Sequence, residues 1–349
     1  MYANCADRIH QGEIFVKSQC MTQEHKIAEQ IWSILESCGY STDDPARHKW
    51  FKQDKKIITR FVDDFSTFRD NQVQDARAWF DSNTLVLTDN RINFAPEYQI
   101  SFLPNSYFGI YFYSPYYVNW LPDRDLHYSV NRIDSNRLLM LHELLKAQRL
   151  KEFLQNNYVN VNADLPGPRG IDKIAAQKNF VQSSATTDLD QSWVQSISQI
   201  IPIRNHSLSV EQANVKSWLT LVVETYAGNS VISMSEKTFR ALVTPAPWIL
   251  YAGLNTVNFL RSMGFDCLDD VIDHSYDRYV STLPLGKDKI ELVASMAWAQ
   301  VAALKAQNFE WLKPRLLRAA QHNIKILGEM SQQLPADIAT WYSKLTKMC

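Results

Sequence analysis

The sequence predicts an α/β protein of two Rossmann-like lobes followed by a C-terminal helical segment. Short apolar runs of strand length alternate with segments of helical periodicity, the pattern of a parallel sheet covered on both faces. The 349 residues exceed one simple core and suit two ordinary domains. From residue 288 onward strand-like runs give way to helical spacing. The expected divisions are therefore 1–122, 123–287 and 288–349.

In the first division, residues 25–38 read as a helix, with Ile27, Ile31, Ile34 and Leu35 on one side and Gly39 as its stop. Strands are expected at 56–62, 84–88, 98–102 and 109–113, several of them followed by Asp, Asn or Pro. In the second, 126–130 reads as a strand and 135–156 as one long helix. The polar stretch 157–192, with Pro166-Gly167-Pro168, reads as a loop or lid, and strands resume at 199–203, 218–223 and 248–251. In the last, Pro314 suits a first helical turn, and Leu316, Leu317, Ala320, Ile324 and Leu327 follow at helical spacing.

Composition narrows the class. A formal net charge of −1 weighs against a protein that holds nucleic acid by charge alone, though not against one local basic cleft. Five scattered cysteines form no C-x-x-C pair, so neither a zinc site nor a disulfide framework is expected, and a reduced, cytoplasmic setting fits. The opening residues lack the apolar core of a signal peptide, and the run 292–304 is too short to span a bilayer, so no membrane segment is expected. No Walker A loop and no G-x-G-x-x-G is present, against a phosphate-loop ATPase or a standard dehydrogenase.

Three segments carry candidate chemistry. An apolar strand delivers Glu224 at its carboxyl end, where ligands of open α/β sheets bind. A short loop then reaches Ser235, a good N-cap, and a helix opens with Glu236 and Lys237. Its unpaired N–H groups, its dipole and the Lys237 charge suit a diphosphate, and Glu236 suits ribose hydroxyls. The plainer reading is a capped helix start on a solvated face. Asn131, Arg132 and Arg137 likewise follow a strand and open a helix, and a guanidinium binds phosphate bidentately. In the first division, Asp89 ends a strand and is a candidate general base, with Asp63 and Asp64 as rivals. His274, beside Asp273, lacks any accompanying nucleophile motif and reads as structural or cleft-lining. The aromatic run 107–117 reads first as strand packing and second as a stacking surface.

Together these segments resemble the α-1,3-fucosyltransferase family, whose fold is the two-lobed GT-B. Glu224-Thr225 and Ser235-Glu236-Lys237 are similar to the family's strand, Glu-Asn, loop and Thr-Glu-Lys. Ser129-Val130-Asn131 with Arg137 resembles its Ser-Asn followed by Arg, and Thr88-Asp89-Asn90 resembles its Thr-Gly-Glu-Asn, with the glycine missing and Asp in place of Glu. The resemblance, in patches over 80–260, implies an acceptor-side lobe at 1–122, a nucleotide-sugar lobe at 123–287, and helices packing on both. It implies Lys237 and Arg137 on the donor diphosphate, Glu236 on the ribose, Asp89 as base, and an inverting, metal-independent transfer with no cofactor besides the nucleoside-diphosphate sugar. The chain also looks like sugar transferases encoded by bacteriophages, some of which glycosylate modified bases in DNA, so the implied acceptor is a glycan or modified duplex DNA. Arg60, Arg69, Arg77, Arg91, Lys52, Lys55 and Lys56 are the residues that would form a DNA-binding cleft. The rival class is a non-catalytic binding or structural protein that keeps a transferase-like fold.

Overall fold

The computed structural model describes residues 120–130, 133–161 and 173–348, apart from 186, 188, 225–226, 228–230 and 233. Before residue 120 it describes Glu36 and five strands, and side chains are described as far as residue 330. The chain divides into two compact units, Met1–Ser114 with Leu327–Cys349, and Pro115–Ile326.

In the first unit, β1 (Lys49–Lys52), β2 (Lys55–Arg60), β3 (Thr84–Thr88) and β5 (Gln99–Phe102) form a sheet in the order β1-β2-β3-β5; β4 (Arg91–Ile92) lies between β3 and β5 in sequence. β1 runs antiparallel to β2, and β2, β3 and β5 are mutually parallel. Of the expected helix at 25–38 only Glu36 is described, and it is helical. The expected strand at 109–113, the aromatic run 107–117 and the carboxylates Asp63, Asp64 and Asp89 lie outside the described residues.

The second unit is a five-stranded sheet with helices on both faces. Its strands are β6 (Arg124–Val130), β7 (Tyr158–Val161), β8 (Ile203–Arg204), β9 (Ser217–Val223) and β11 (Trp248–Tyr251), in the order β11-β9-β6-β7-β8. All pair in parallel except β8, which is antiparallel to β7. Strands covered on both faces should be apolar throughout, and β9 and β11 are buried along almost their whole length.

The helices are α1 (Ser135–Lys146), α2 (Leu150–Asn156), α3 (Lys173–Ser184), α4 (Gln191–Ser198), α5 (Val210–Val215), α6 (Glu236–Val243), α7 (Thr256–Ser262), α8 (Lys287–Ala306) and α9 (Phe309–Met348); β10 (Val231–Ile232) precedes α6. Consecutive strand residues point to opposite faces, and β6 shows which helices cover which. The Tyr128 hydroxyl donates to the Arg137 carbonyl in α1, whereas His127 reaches Asn214 in α5. α1 and α8 pack together on the first face, and α5 and α6 lie on the second.

Four expectations need correction. The single helix at 135–156 is two, broken at 147–149. The polar stretch read as a loop holds β7, α3 and the approach to α4, because Phe180, Leu189 and Val194 bury against the unit's core. The strand at 199–203 shrinks to β8. α9 begins five residues before Pro314, so that residue falls in the second turn rather than the first.

The two ends of the sheet differ in chemistry. At the amino end Trp120 stacks on Phe309 (centroids 5.2 Å), meets Trp218 edge-on (5.1 Å), and donates from Nε1 to the Ser217 carbonyl at 2.8 Å. Such aromatic pairs contribute about 0.5–1.5 kcal/mol beyond their burial. At the carboxyl end, among the described residues, α1 follows β6, α6 follows β9 and α7 follows β11.

Candidate functional site

β6 connects through α1 and α2 to β7 on one side, whereas β9 connects through α6 to β11 on the other. The connections therefore diverge between β6 and β9, and the crevice outside the carboxyl ends of two such strands is where open α/β sheets bind ligands. β6 ends at Val130 and β9 at Val223, in matching register. The residues that follow are those the sequence singled out.

On the β6 side, Asp134 caps α1 by accepting from the Arg137 N–H at 2.9 Å. Its other oxygen lies 3.2 Å from the Arg137 guanidinium, which is buried (2% exposed). The Tyr128 hydroxyl, 2.8 Å from the Arg137 carbonyl, ties this first turn to β6; burial pushes that phenol well above its ordinary pKa. Asn131 and Arg132 lie outside the described residues.

On the β9 side, the Glu224 carboxylate is buried and turned onto the start of α6. One oxygen accepts from the Ser235 N–H at 2.9 Å and from the Thr238 hydroxyl. The other accepts from the Ser235 hydroxyl at 2.7 Å. Ser235 in turn caps α6, accepting from the Lys237 N–H at 3.3 Å. Glu224 thus acts on its own chain: it occupies the positive end of the helix dipole. Lys237 is half-buried in the first turn and has no ion-pair partner among the described residues. Glu236 opens the helix, and its side chain lies outside the described set.

The structure adds residues that the sequence reading passed over. Lys289, 1% exposed, reaches from the first turn of α8 to donate to the Ala252 carbonyl at 2.8 Å, just past β11. Its signal was spacing: Lys289 stands in line with Val293, Ala297 and Val301 at four-residue steps along the buried stripe of α8. Asp277, 3% exposed, accepts from the Val257 and Asn258 N–H groups, both at 2.9 Å, and so closes the start of α7. Asp288 accepts from Ser281 and from the Thr282 main chain and hydroxyl, pinning the loop before α8. Partial burial opposes its ionisation, but these hydrogen bonds and that from the Lys289 N–H outweigh it and hold the carboxyl far below its usual range. Gly286 caps α8 at φ +66°, and a Cβ there would come within 2.9 Å of the Tyr251 hydroxyl.

His274 is structural: it receives the Tyr276 hydroxyl at Nδ1 (2.8 Å) and gives Nε2–H to the Cys267 carbonyl (2.7 Å). Cys267 is free and buried, and burial raises its thiol to about 12, which leaves it unreactive. Among the described residues no group of three or more His, Cys, Asp or Glu side chains is placed to hold a metal ion, and no helix is long and apolar enough to cross a membrane. No family model, curated protein or solved structure matches this chain.

Proposed function

We propose that the chain is a nucleotide-sugar-dependent glycosyltransferase of GT-B type whose donor site is the carboxyl edge of the five-stranded sheet. The observation that carries this reading is the convergence of the Arg137 turn of α1 and the Lys237 turn of α6 at the point between β6 and β9 where the connections diverge. Helix starts with adjacent cations suit the two phosphates of a nucleoside diphosphate. In this reading Lys237 and Arg137 stabilise the charge that grows on the leaving diphosphate. Glu224 and Ser235 hold the helix that presents Lys237, and Glu236, Asn131 and Arg132 complete the donor contacts.

The transfer is inverting and metal-independent. The acceptor oxygen bonds to the anomeric carbon as the bond from that carbon to the diphosphate oxygen breaks. The nucleoside diphosphate leaves with the electron pair, and the hydroxyl proton passes to a base, assigned to Asp89 on its sequence context. The acceptor is a glycan or a modified base in duplex DNA, acted on in the cytoplasm, which for a phage-encoded transferase is the host's. Strongly salt-dependent duplex binding distinguishes the DNA acceptor.

A thermal-shift screen with UDP, GDP, CDP, dTDP and ADP tests the donor site. One diphosphate at a hundred times its Kd should stabilise by about 2.7 kcal/mol, and Lys237→Ala should abolish that shift. A second reading, a non-catalytic binding or structural protein, is favoured by one observation: Glu224 and Arg137 both already bond to groups of their own chain. No shift with any diphosphate would establish that second reading over the first.

A further inference from the structure

We propose that His127 and His206 form a two-imidazole site for a first-row transition-metal dication, with Zn2+ as the reference ion. The site lies on the α5 face of the sheet, three residues back along β6 from its carboxyl edge, and does not rest on the donor-site reading.

His127 is 2% exposed. Its Nδ1 lies 2.5 Å from Asn214 Oδ1, which also accepts the Thr220 hydroxyl at 3.1 Å. An amide oxygen only accepts, so Nδ1 carries the proton and Nε2 keeps its lone pair. That Nε2 is buried and has no hydrogen-bond partner among the described residues. A ligating histidine commonly gives its other ring N–H to a carbonyl in this way, which fixes tautomer and ring plane together.

The His206 ring stands 6.1 Å from that of His127, centroid to centroid, at 77°. Both of its ring nitrogens are buried; the Leu208 main chain interacts with the ring, and among the described residues neither nitrogen meets a hydrogen-bond partner of good geometry. The Tyr158 ring packs on His206 at 5.1 Å, but its hydroxyl donates to Asp123 at 2.8 Å and so faces elsewhere. Leaving a buried nitrogen unsatisfied is destabilising, and these two neighbouring imidazoles both do so among the described residues. Zinc binds an imidazole nitrogen at about 2.0–2.1 Å, so two rings sharing one ion have centroids roughly 5 Å apart at a tetrahedral angle and about 6 Å apart when that angle is opened widely.

Imidazole is a favoured ligand for zinc, nickel and copper. Asn160 shares this face of the sheet, two residues along β7 from Tyr158, and its Oδ1 is also buried without a partner among the described residues. No third His, Cys, Asp or Glu joins the group among the described residues. The remaining positions therefore fall to water or to the Asn160 amide oxygen. The two histidines are far apart in sequence, which is why motif spacing gives no sign of them.

The test uses the full chain after dialysis against chelator, titrated with Co2+ (followed by visible absorption) and with Zn2+ (by calorimetry). The expected result is one equivalent bound, with affinity reduced at least tenfold in His206→Ala and unchanged in His322→Ala, a surface control. The metal-free melting point of His206→Ala should match wild type, so the loss reads binding rather than folding. His127→Gln gives the same loss if it folds, and His206→Ala decides the matter alone if it does not. Undiminished binding in His206→Ala, or no uptake at millimolar metal, overturns the proposal and assigns the gap to buried water. Nucleotide shifts unaltered in His206→Ala keep this outcome separate from that of the donor site.

Discussion

The Ser235 hydroxyl donates to the Glu224 carboxylate at 2.7 Å while its own N–H bonds the other oxygen of the same group. A buried strand-end acid thus clamps the residue that caps α6. Glu224→Ala leaves two Ser235 donors and the Thr238 hydroxyl without their acceptor, at roughly 2–4 kcal/mol. Urea unfolding should show a lower midpoint at constant slope, and Glu224→Gln should recover part of the loss. A change below about 1 kcal/mol in the alanine variant would show that the clamp contributes nothing.

The same clamp marks the limit of what the sequence carried. An apolar strand ending in an acid, then Ser-Glu-Lys, was legible as strand, cap and helix because each has a local signature. Whether that acid faces a ligand or its own helix depends on the turn of the loop between them, which no periodicity records. β9 and β11 were readable as apolar runs between turn residues, and β3 was placed to the residue. α3 was not: Lys173–Ser184 exposes Ile174 and Val181 and buries Phe180, so its apolar residues do not form one clean stripe. Lys289 was hidden because an opening Lys-Asp-Lys reads as a solvated helix start until its first-turn lysine is found on the buried side.

α7 takes its cap from a distance. Asn255, at its N-cap, has φ +61° and makes no side-chain cap bond, so Asp277 supplies the acceptors from twenty residues away. Asp277→Ala should cost about 2–3 kcal/mol, since charge-assisted bonds to a helix start are lost in a buried site. Asp277→Asn, which keeps one acceptor oxygen, should lose about half as much. Asn255→Gly should be nearly neutral, because glycine enters the left-handed region freely, while Asn255→Ala costs about 1 kcal/mol. Equal effects from the glycine and alanine variants would show that backbone strain is not what selects Asn255.

Stability should fall as pH drops from about 6.5 to about 4, before most carboxylates titrate. His127, with its pKa lowered to about 4 by burial, stays neutral in the folded chain while the unfolded chain takes up a proton. Its contribution is complete above pH 6.5 and is lost as pH falls through that window, up to about 3 kcal/mol. The groups around it are His206, Asn214, Thr220 and Tyr158, with Arg204 beyond His206 and Asp123 and Arg124 beyond Tyr158. Burial lowers the pKa values of His206 and His274 too, so both add in the same direction. Urea midpoints at pH 7.5, 6.5, 5.5 and 4.5 measure the slope, and His127→Gln should flatten it. A flat profile in the wild-type chain would contradict the burial of these rings.

β11 is an edge strand, and its outward N–H at Leu250 is covered by a side chain. That N–H donates to the Tyr276 hydroxyl at 2.9 Å, which passes its own proton to His274 Nδ1, whose Nε2–H ends on the Cys267 carbonyl. All three links are buried, so removing the hydroxyl strands a backbone donor and a ring acceptor together. Tyr276→Phe should therefore cost about 2–4 kcal/mol although the ring still fills its place. His274→Phe removes one neighbour of the same chain of bonds, and the double variant should be less damaged than the sum of the two singles by about 1 kcal/mol or more. Strict additivity in that double-mutant cycle, measured by urea unfolding, would show that the hydroxyl and the imidazole act independently.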